Sequence, residues 1–161
     1  MANIKISGKA VAVIGAGGAA RAVGFGVIQE KGRLTVINRT RVRGESLANE
    51  LNCEFKPLSE IKRLPYQIII NATSAGMTPY EDTTPLSPDL LESGMTVMDL
   101  VYHPLKTCFL NEAEKKGCIT IDGLSMFVYQ GAVQFELWTR KKAPVEIMRR
   151  AVLEELKLSH D

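Results

Sequence analysis

The stretch Lys9-Ala-Val-Ala-Val-Ile-Gly-Ala-Gly-Gly-Ala-Ala20 decides the fold of this chain. Its first half, from Lys9 to Ile14, is a nearly continuous apolar run, which is typical of a strand buried on both faces of a parallel sheet. A glycine-rich turn follows, and residues 18–31 have the pattern of a helix that ends at Gly32. A strand, a glycine turn and a helix in this order form the context in which a backbone grips a diphosphate.

The glycine turn has the pattern Gly-x-Gly-Gly-x-x, and Arg21 stands where the commonest dinucleotide fingerprint has its third glycine. Small residues are needed there because a diphosphate must come close to the backbone N–H groups at the start of the helix. We expect Gly15 to make the tight turn and Gly17 to admit the phosphates, and a purely structural turn is the alternative. The residues predicted to bind the phosphates are Gly15, Ala16, Gly17, Gly18 and Ala19.

Asn38-Arg39-Thr40 follows the second predicted strand, at the place where many dinucleotide-binding folds keep an acid. An acid would accept a hydrogen bond from the ribose 2′-OH of NAD, whereas an arginine favours the 2′-phosphate of NADP. Arg43 lies in the first turn of the next predicted helix, where it and Arg39 can face one anion. Arg41 is interpreted as solvated surface charge, and Thr40 as the N-cap of that helix. The predicted cofactor is NADP, bound here by Asn38, Arg39, Thr40 and Arg43.

Strands and helices alternate along the whole chain. The predicted strands are 9–14, 33–38, 53–56, 67–71, 95–100 and 118–121, and the predicted helices are 18–31, 41–51, 106–116, 124–140 and 144–158. Residues 72–94 hold Pro79, Pro85 and Pro88 and are predicted to be a loop with short helical pieces. This alternation predicts a Rossmann-like α/β fold, a doubly wound and mainly parallel sheet of about six strands with helices on both faces.

Length and composition favour one soluble domain over residues 1–161, because 45% of the residues are hydrophobic and 24% are charged. A net charge of +2 is too weak to indicate nucleic-acid binding. The apolar runs are too short to span a membrane, and we see no secretory signal. The three cysteines, Cys53, Cys108 and Cys118, have no metal-binding spacing and are typical of reduced thiols in the cytoplasm.

Five motifs together resemble the NADP-binding domain of shikimate dehydrogenases, over nearly the whole chain. They are Gly15-Ala-Gly-Gly-Ala-Ala-Arg-Ala22, Asn38-Arg-Thr40 with Arg43, Asn71-Ala-Thr-Ser-Ala-Gly-Met77, Asp99-Leu-Val-Tyr-His-Pro104 with Thr107, and Asp122-Gly-Leu-Ser-Met-Phe-Val-Tyr-Gln130. Each motif is modest alone, but in this order and spacing they are specific. All five follow predicted strands, and ligands of such sheets sit beyond the carboxyl ends of the strands.

The resemblance implies residue roles. It assigns Thr73, Ser74, Leu100, Gly123 and Met126 to the cofactor, and Tyr102 and Gln130 to shikimate. Thr73 and Ser74 would line the cofactor groove, and Gly123 would approach the nicotinamide through its backbone carbonyl. The implied reaction is the reversible reduction of 3-dehydroshikimate to shikimate with NADPH, a step of chorismate and aromatic amino-acid biosynthesis. No catalytic residue and no metal ligand is predicted in this chain.

The resemblance also implies a second, N-terminal domain that binds most of the substrate and carries a catalytic Lys–Asp pair. We predict that this domain is absent from the 161 residues, and that the chain alone is inactive. The alternatives are a relative that also uses quinate or prefers NAD, a fragment of a fusion with dehydroquinate dehydratase, and a non-catalytic nucleotide-binding regulatory domain. A homodimer is a further partnership that the sequence leaves open.

Three packing predictions concern helices. Gly24 and Gly26, inside the first helix, are expected to allow its close packing on the sheet. Aromatic and apolar residues of the predicted helix 124–140 are expected to pack in the core or against another domain, namely Phe127, Phe135, Leu137 and Trp138. The last helix has an apolar stripe, Val145, Met148, Val152 and Leu156, which is expected to join two domains or, in a fragment, to favour self-association.

Overall fold

The computed structural model describes residues 4–158, with side chains through Leu156. Its strands are β1 (Ala10–Ile14), β2 (Arg33–Asn38), β3 (Glu54–Pro57), β4 (Ile68–Asn71), β5 (Thr96–Asp99) and β6 (Ile119–Ile121). Its α-helices are α1 (Gly18–Gln29), α2 (Arg41–Leu51), α3 (Cys108–Lys115), α4 (Leu124–Thr139) and α5 (Val145–Leu158). Short 3₁₀ turns cover Leu58–Glu60 and Pro88–Leu90.

The strands form one parallel sheet in the order β3-β2-β1-β4-β5-β6. The chain therefore builds outward from β1 to β3, and then crosses back to place β4 on the other side of β1. This reversal opens a crevice beyond the carboxyl ends of β1 and β4, which is where ligands of such sheets bind. The doubly wound parallel fold predicted from the sequence is confirmed.

Two apolar layers cover the two faces of the sheet. Ala12 and Ile14 of β1 pack in one layer with Phe109 of α3, whereas Val11 and Val13 pack in the other layer with residues of α1 and α2. All four of these β1 residues are buried. The unbroken apolar run of the sequence thus has its expected cause, because successive side chains of a strand point to opposite faces and both faces are covered here.

Every predicted helix and strand occurs, and the boundaries differ by at most two residues. Helix α3 begins at Cys108 instead of 106, because the hydroxyl of Thr107 accepts from the Leu110 amide at 3.3 Å and caps the helix there. Thr40 is at the N-cap position of α2, but its side chain makes no capping hydrogen bond.

The prediction for the helix glycines is half wrong. Gly24 is buried, and a Cβ there would lie 2.5 Å from Leu51 Cδ1 and 3.2 Å from Leu34 Cδ2. A Cβ at this position would press on the side chains of α2 and β2, which agrees with the close packing predicted for Gly24. Gly26 is exposed, and a Cβ there would meet nothing within 4 Å. It lies on the face of α1 that points away from the sheet, so packing does not explain it.

The C-terminal helices pack on each other and leave one face of α4 uncovered. The α5 stripe of Val145, Met148, Val152 and Leu156 is half-buried, and its expected role in joining two domains or in self-association stays a prediction. Four residues of α4 were expected to pack in the core or against another domain. Phe135 is half-buried, whereas three are exposed and lie outside the core, namely Phe127, Leu137 and Trp138, and Trp138 is 80% exposed. Their packing against another domain stays a prediction. None of the helices in residues 4–158 is long and apolar enough to cross a membrane.

Candidate functional site

The glycine turn after β1 is held in a backbone conformation that favours glycine. Gly15 has φ of +119°, and a Cβ at this position would lie 2.8 Å from the carbonyl oxygen of Ala72. The Gly15 amide donates to the Ile37 carbonyl at 2.8 Å, and the Ala72 amide donates to the Ile14 carbonyl at 2.8 Å. The turn is therefore fixed between the ends of β2 and β4, as its predicted tight geometry requires.

The start of α1 leaves open space beside its backbone. A Cβ at Gly17 or at Gly18 would meet nothing within 4 Å. Gly17 is the N-cap residue and supplies no side chain to the amides of the first turn. Those amides are the positive end of the helix and lack partners within the helix. The open, amide-lined start of α1 fits a bound diphosphate.

A cleft of about 520 Å³ extends from this helix start to the end of β2. Its walls include Gly17, Arg39 and Arg43, so the structure brings the two arginines and the glycine turn together as predicted. The Asn38 amide group donates to the Thr40 carbonyl at 2.8 Å and holds the turn between β2 and α2. The full set of predicted residues on this cleft is Ala16, Gly17, Asn38, Arg39, Thr40, Arg43, Thr73 and Ser74.

The arginines at this turn differ in their partners. Arg41 forms ion pairs of 3.1 Å with Glu45 and Glu60, which places its charge on the surface as expected. Within residues 4–158, neither Arg39 nor Arg43 has an ion-pair partner. Two guanidinium groups that share a cleft without a carboxylate make a site for an anion.

A second cleft, of about 470 Å³, lies on the other side of the loop after β4. Thr73 and Ser74 border both clefts, which makes their loop the shared wall. Ala19, Leu100 and Tyr102 also line the second cleft. Gly17, Leu100 and Tyr102, which the sequence assigned to the phosphates, to the nicotinamide and to the substrate, therefore border two adjacent clefts at the carboxyl edge of the sheet.

Tyr102 is held by a ring contact that the sequence did not reveal. Its ring stacks on Phe127 of α4, with centroids 4.0 Å apart and planes inclined by 21°. Stacked aromatic pairs add about 0.5–1.5 kcal/mol beyond the burial of their area. The contact joins the loop after β5 to the first turns of α4 and fixes the phenol at the rim of the second cleft.

Three further residues that were assigned to the cofactor or the substrate, Gly123, Met126 and Gln130, lie at the start or in the first half of α4. A Cβ on buried Gly123 would lie 2.5 Å from the Leu100 carbonyl oxygen, so only glycine allows α4 to begin this close to the loop after β5. The Gly123 carbonyl accepts from the Phe127 amide at 3.0 Å as the first acceptor of α4. Met126 is half-buried and Gln130 is exposed, and neither lines the two clefts.

A buried polar network lies beneath the two clefts. Asn71 and Asp99, the last residues of β4 and β5, are fully buried register partners, and the Asn71 amide group donates to the Asp99 carboxylate at 2.9 Å. The carboxylate also accepts from the Val101 amide at 3.0 Å and from the Thr107 hydroxyl at 2.7 Å. Burial raises the pKa of Asp99, and these three hydrogen bonds partly oppose that rise.

The cleft between the start of α1 and the end of β2 has a wall that the sequence did not indicate. Tyr80, Thr83, Thr84 and Pro85 of the loop after β4 also border it. The hydroxyl of Thr83 accepts from the Gly76 amide at 2.9 Å, which folds the loop back on itself. A proline-rich loop carries no periodic pattern, so no local signal placed these residues at the cleft. In residues 4–158 we find no group of three or more His, Cys, Asp or Glu that could hold a metal ion.

Two family models match the chain. The model described as shikimate / quinate 5-dehydrogenase matches residues 1–84, which is more than half of the sequence. The model described as the C-terminal domain of shikimate 5′-dehydrogenase matches residues 123–153. The two matches include four of the five motifs in whole or in part, and leave out the stretch around Asp99.

Known proteins are similar over nearly the whole chain. Shikimate dehydrogenase (NADP(+)) of Methanosarcina acetivorans is 44% identical over 96% of this chain and 59% of its own length. The structure of shikimate 5-dehydrogenase of Thermus thermophilus in complex with NADP(H) and shikimate superposes with a TM-score of 0.83, at 36% identity over 94% of this chain and 56% of that one. Quinate dehydrogenase of Corynebacterium glutamicum in complex with NAD superposes with a TM-score of 0.86, at 28% identity and the same coverage.

The similarity has a definite extent. This chain spans less than two thirds of the length of these proteins. Within that span three observations are consistent with one another: the match to the family model, the strand order and the geometry of the glycine turn. The chain belongs to the shikimate dehydrogenase family.

Proposed function

We propose that this chain binds NADP along the carboxyl edge of its sheet and supplies the cofactor side of a shikimate dehydrogenase active site. One observation carries the proposal. Arg39 and Arg43 border the same cleft as the open start of α1, and neither has an acidic partner in the part of the chain that the structure describes. NADP carries a diphosphate and a separate 2′-phosphate, which match the start of α1 and the two arginines, respectively.

The cofactor would be held mainly by backbone groups and guanidinium groups. The first-turn amides of α1 would bind the diphosphate beside Gly17 and Gly18, where no side chain intrudes. Arg39 and Arg43 would bind the ribose 2′-phosphate, because the planar donor fork of arginine matches phosphate oxygens. Asn38 fixes the turn that presents Arg39. The NADP(+)- and NADP(H)-named relatives agree with this choice of cofactor.

The second cleft would hold the nicotinamide end. NADPH, when bound, supplies a hydride to a ketone. Leu100 would border the ring, and Tyr102 would reach the substrate from a position fixed by Phe127. The Gly123 carbonyl keeps one lone pair beyond its helix bond, and the Gly123 backbone packs closely on the Leu100 carbonyl. Met126 and Gln130 of α4 complete the predicted set. The structure that contains NADP(H) and shikimate shares this fold over 94% of the chain.

We further propose that residues 1–161 are the NADP-binding domain, and that the catalytic Lys–Asp pair belongs to another part of a full-length enzyme. The exposed apolar face of α4 supports this division. Tyr129, Val133 and Leu137 recur every four residues on that face, and Trp138 extends it. A contiguous apolar face of this kind marks a surface that another part of a protein covers. The cysteines of the described residues are free thiols, which is typical of proteins in the reducing cytoplasm.

The NAD-linked quinate dehydrogenase is the specific alternative, because it has the same fold with a TM-score of 0.86. The fold therefore does not select the cofactor. The two arginines do, since NAD offers no 2′-phosphate and would leave both guanidinium groups without an anion.

The test is a titration of NADP and of NAD against the chain, its Arg39→Ala variant and its Arg41→Ala variant by calorimetry. We expect the chain to bind NADP more tightly than NAD. Arg39→Ala should weaken NADP binding by about 10-fold or more, since hydrogen bonds to charged groups contribute about 1.5–3 kcal/mol. NAD binding should hardly change.

Arg41→Ala is the matched control, because Arg41 is next to Arg39 but is paired with Glu45 and Glu60. It should leave both affinities unchanged. Equal binding of NADP and NAD by the unmodified chain would contradict the cofactor assignment. Shikimate oxidation by these 161 residues at a rate typical of an enzyme would contradict the division of the active site.

A further inference from the structure

We call the first cleft, which runs from the start of α1 to the end of β2, the nucleotide cleft, since NADP is proposed to bind there. The loop that borders it and the loop that carries Tyr102 share a buried set of hydrogen bonds. Thr73 donates to the Asn71 side-chain oxygen through its amide at 3.0 Å and its hydroxyl at 2.7 Å. The Asn71 amide group donates to the Ala75 carbonyl at 3.2 Å and to Asp99 at 2.9 Å. Asp99 in turn accepts from the Val101 amide at 3.0 Å, beside Tyr102.

The path of hydrogen bonds from one cleft to the other is short and buried. It runs from Thr73 through Asn71 and Asp99 to Val101, and both central residues have no exposed surface. Buried polar groups that are fully paired resist rearrangement, because a lost partner leaves a desolvated group without a hydrogen bond. A displacement of Thr73 therefore requires Asn71, and then Asp99, to move with it so that their hydrogen bonds are kept.

We propose that Asp99 is a positioning residue that, through Asn71, couples the nucleotide cleft to the loop of Tyr102, so that bound NADP orders Tyr102 for substrate. The proposal rests on the NADP binding proposed above. Thr73 and Ser74 line both clefts, so a cofactor that contacts them acts directly on the first member of the path. Thr107 holds the second carboxylate oxygen of Asp99 and so fixes the carboxylate from the α3 side.

Among the described residues, a backbone hydrogen bond also joins the same two loops. The Thr78 amide donates to the His103 carbonyl at 3.4 Å. Both residues line the second cleft, and this hydrogen bond is longer than any in the Thr73–Asn71–Asp99–Val101 path. The test must therefore separate the buried path from this outer one.

The experiment is hydrogen–deuterium exchange of the chain with and without saturating NADP, read by mass spectrometry in two segments. Residues 15–20 report binding at the glycine turn, and residues 100–104 report order in the Tyr102 loop. The variants are Asp99→Ala, which removes the acceptor, and Asp99→Asn, whose remaining oxygen still accepts from Asn71 and Val101. Asn71→Ala removes the side chain that links Thr73 to Asp99 and lines neither cleft. Thr96→Val, at the other end of β5, is the buried control.

In the unmodified chain, NADP should slow exchange of both segments, by about five-fold or more for residues 100–104, the lower end of coupling between linked sites. In Asp99→Ala and in Asn71→Ala, residues 15–20 should still be protected, and the protection of residues 100–104 should be lost. Asp99→Asn should retain most of it, and Thr96→Val all of it. If Asp99→Ala does not fold, Asn71→Ala decides the matter, because it leaves Asp99 with the Val101 and Thr107 hydrogen bonds.

Two results overturn the inference while leaving NADP binding intact. The first is protection of residues 15–20 without protection of residues 100–104 in the unmodified chain. The second is protection of residues 100–104 that survives in Asp99→Ala or Asn71→Ala, which assigns it to direct contact of the cofactor with Leu100 or to the contact between Thr78 and His103. Absence of protection in both segments of the unmodified chain overturns the proposed NADP binding itself, and the coupling with it.

Discussion

Gly15 and Ala72 meet at the switch point of the sheet, where a Cβ on Gly15 would lie 2.8 Å from the Ala72 carbonyl oxygen. The two residues follow β1 and β4, neighbours in the sheet that are distant in the sequence. Their contact brings the loop after β4 against the glycine turn. The glycine turn and the shared wall of the two clefts are thereby fixed to each other.

Substitutions at Gly15 and Gly17 should have opposite consequences. Gly15→Ala should lower the free energy of unfolding by about 2 kcal/mol or more, because it combines a φ of +119° with a clash against backbone. Gly17→Ala should leave stability nearly unchanged, since its backbone is extended and its Cβ meets nothing, but it should weaken NADP binding by obstructing the diphosphate. Urea denaturation and calorimetry measure the two effects. A stable Gly15→Ala variant would show that the turn is not constrained.

The two glycines of α1 provide a second pair. Gly26→Ala should raise the free energy of unfolding by about 0.5–1 kcal/mol, because alanine favours the helix and its Cβ meets nothing. Gly24→Ala gains the same propensity but presses on Leu51 and Leu34, so we expect a net loss of about 1 kcal/mol. Thermal unfolding of the two variants should show shifts of opposite sign, and shifts of the same sign would argue against the packing described.

Tyr66 carries a hydroxyl that is buried without a hydrogen-bond partner among the described residues. Tyr66→Phe should keep or raise the free energy of unfolding, by up to about 1 kcal/mol, because it removes a desolvated and unpaired polar group. The Lys56 ammonium, 5.8 Å from the ring centroid, would keep its contact with the aromatic face. Tyr80→Phe, at an exposed position, is the control and should have no effect. A clear loss of stability in Tyr66→Phe would reveal a partner for the hydroxyl.

Asp99 should give stability a distinctive pH dependence. Burial raises its pKa in the folded state, so the folded chain holds this proton to higher pH than the unfolded chain does. Relative to Asp99→Asn, the unmodified chain should therefore lose stability as pH rises from about 3.9, the ordinary value for Asp, through the raised pKa. Denaturation of both proteins over this range gives the difference, in which other groups cancel. A difference that is flat or that grows with pH would contradict the assignment.

Arg39 and Arg43 should act on NADP as a pair. If both hold the same phosphate, Arg43→Ala should weaken NADP binding by about 10-fold or more. The double variant should lose less than the product of the two single losses, because the first substitution already removes part of the shared interaction. Additive losses in the binding free energy would indicate that the arginines contact different groups.

Much of the fold was predictable because its signals are local. The apolar run of β1, the alternation of strands and helices, and the glycine turn each require only neighbouring residues to be read. The placement of Arg39 and Arg43 on one cleft was predictable too, since both follow a strand whose carboxyl end faces the ligand edge. The different environments of Gly24 and Gly26, and the exposure of Trp138, were not predictable. They depend on which distant side chains cover each helix face.

The sequence by itself determined that this chain builds a parallel sheet with a glycine turn and two arginines at its carboxyl edge, because strand burial, helix starts and turn glycines follow short local patterns. Only the tertiary structure decided how the parts of that edge are joined. It paired Asn71 with Asp99 and stacked Tyr102 on Phe127. Such contacts arise when the sheet order and the crossing helices bring distant segments together, and no local pattern encodes that neighbourhood.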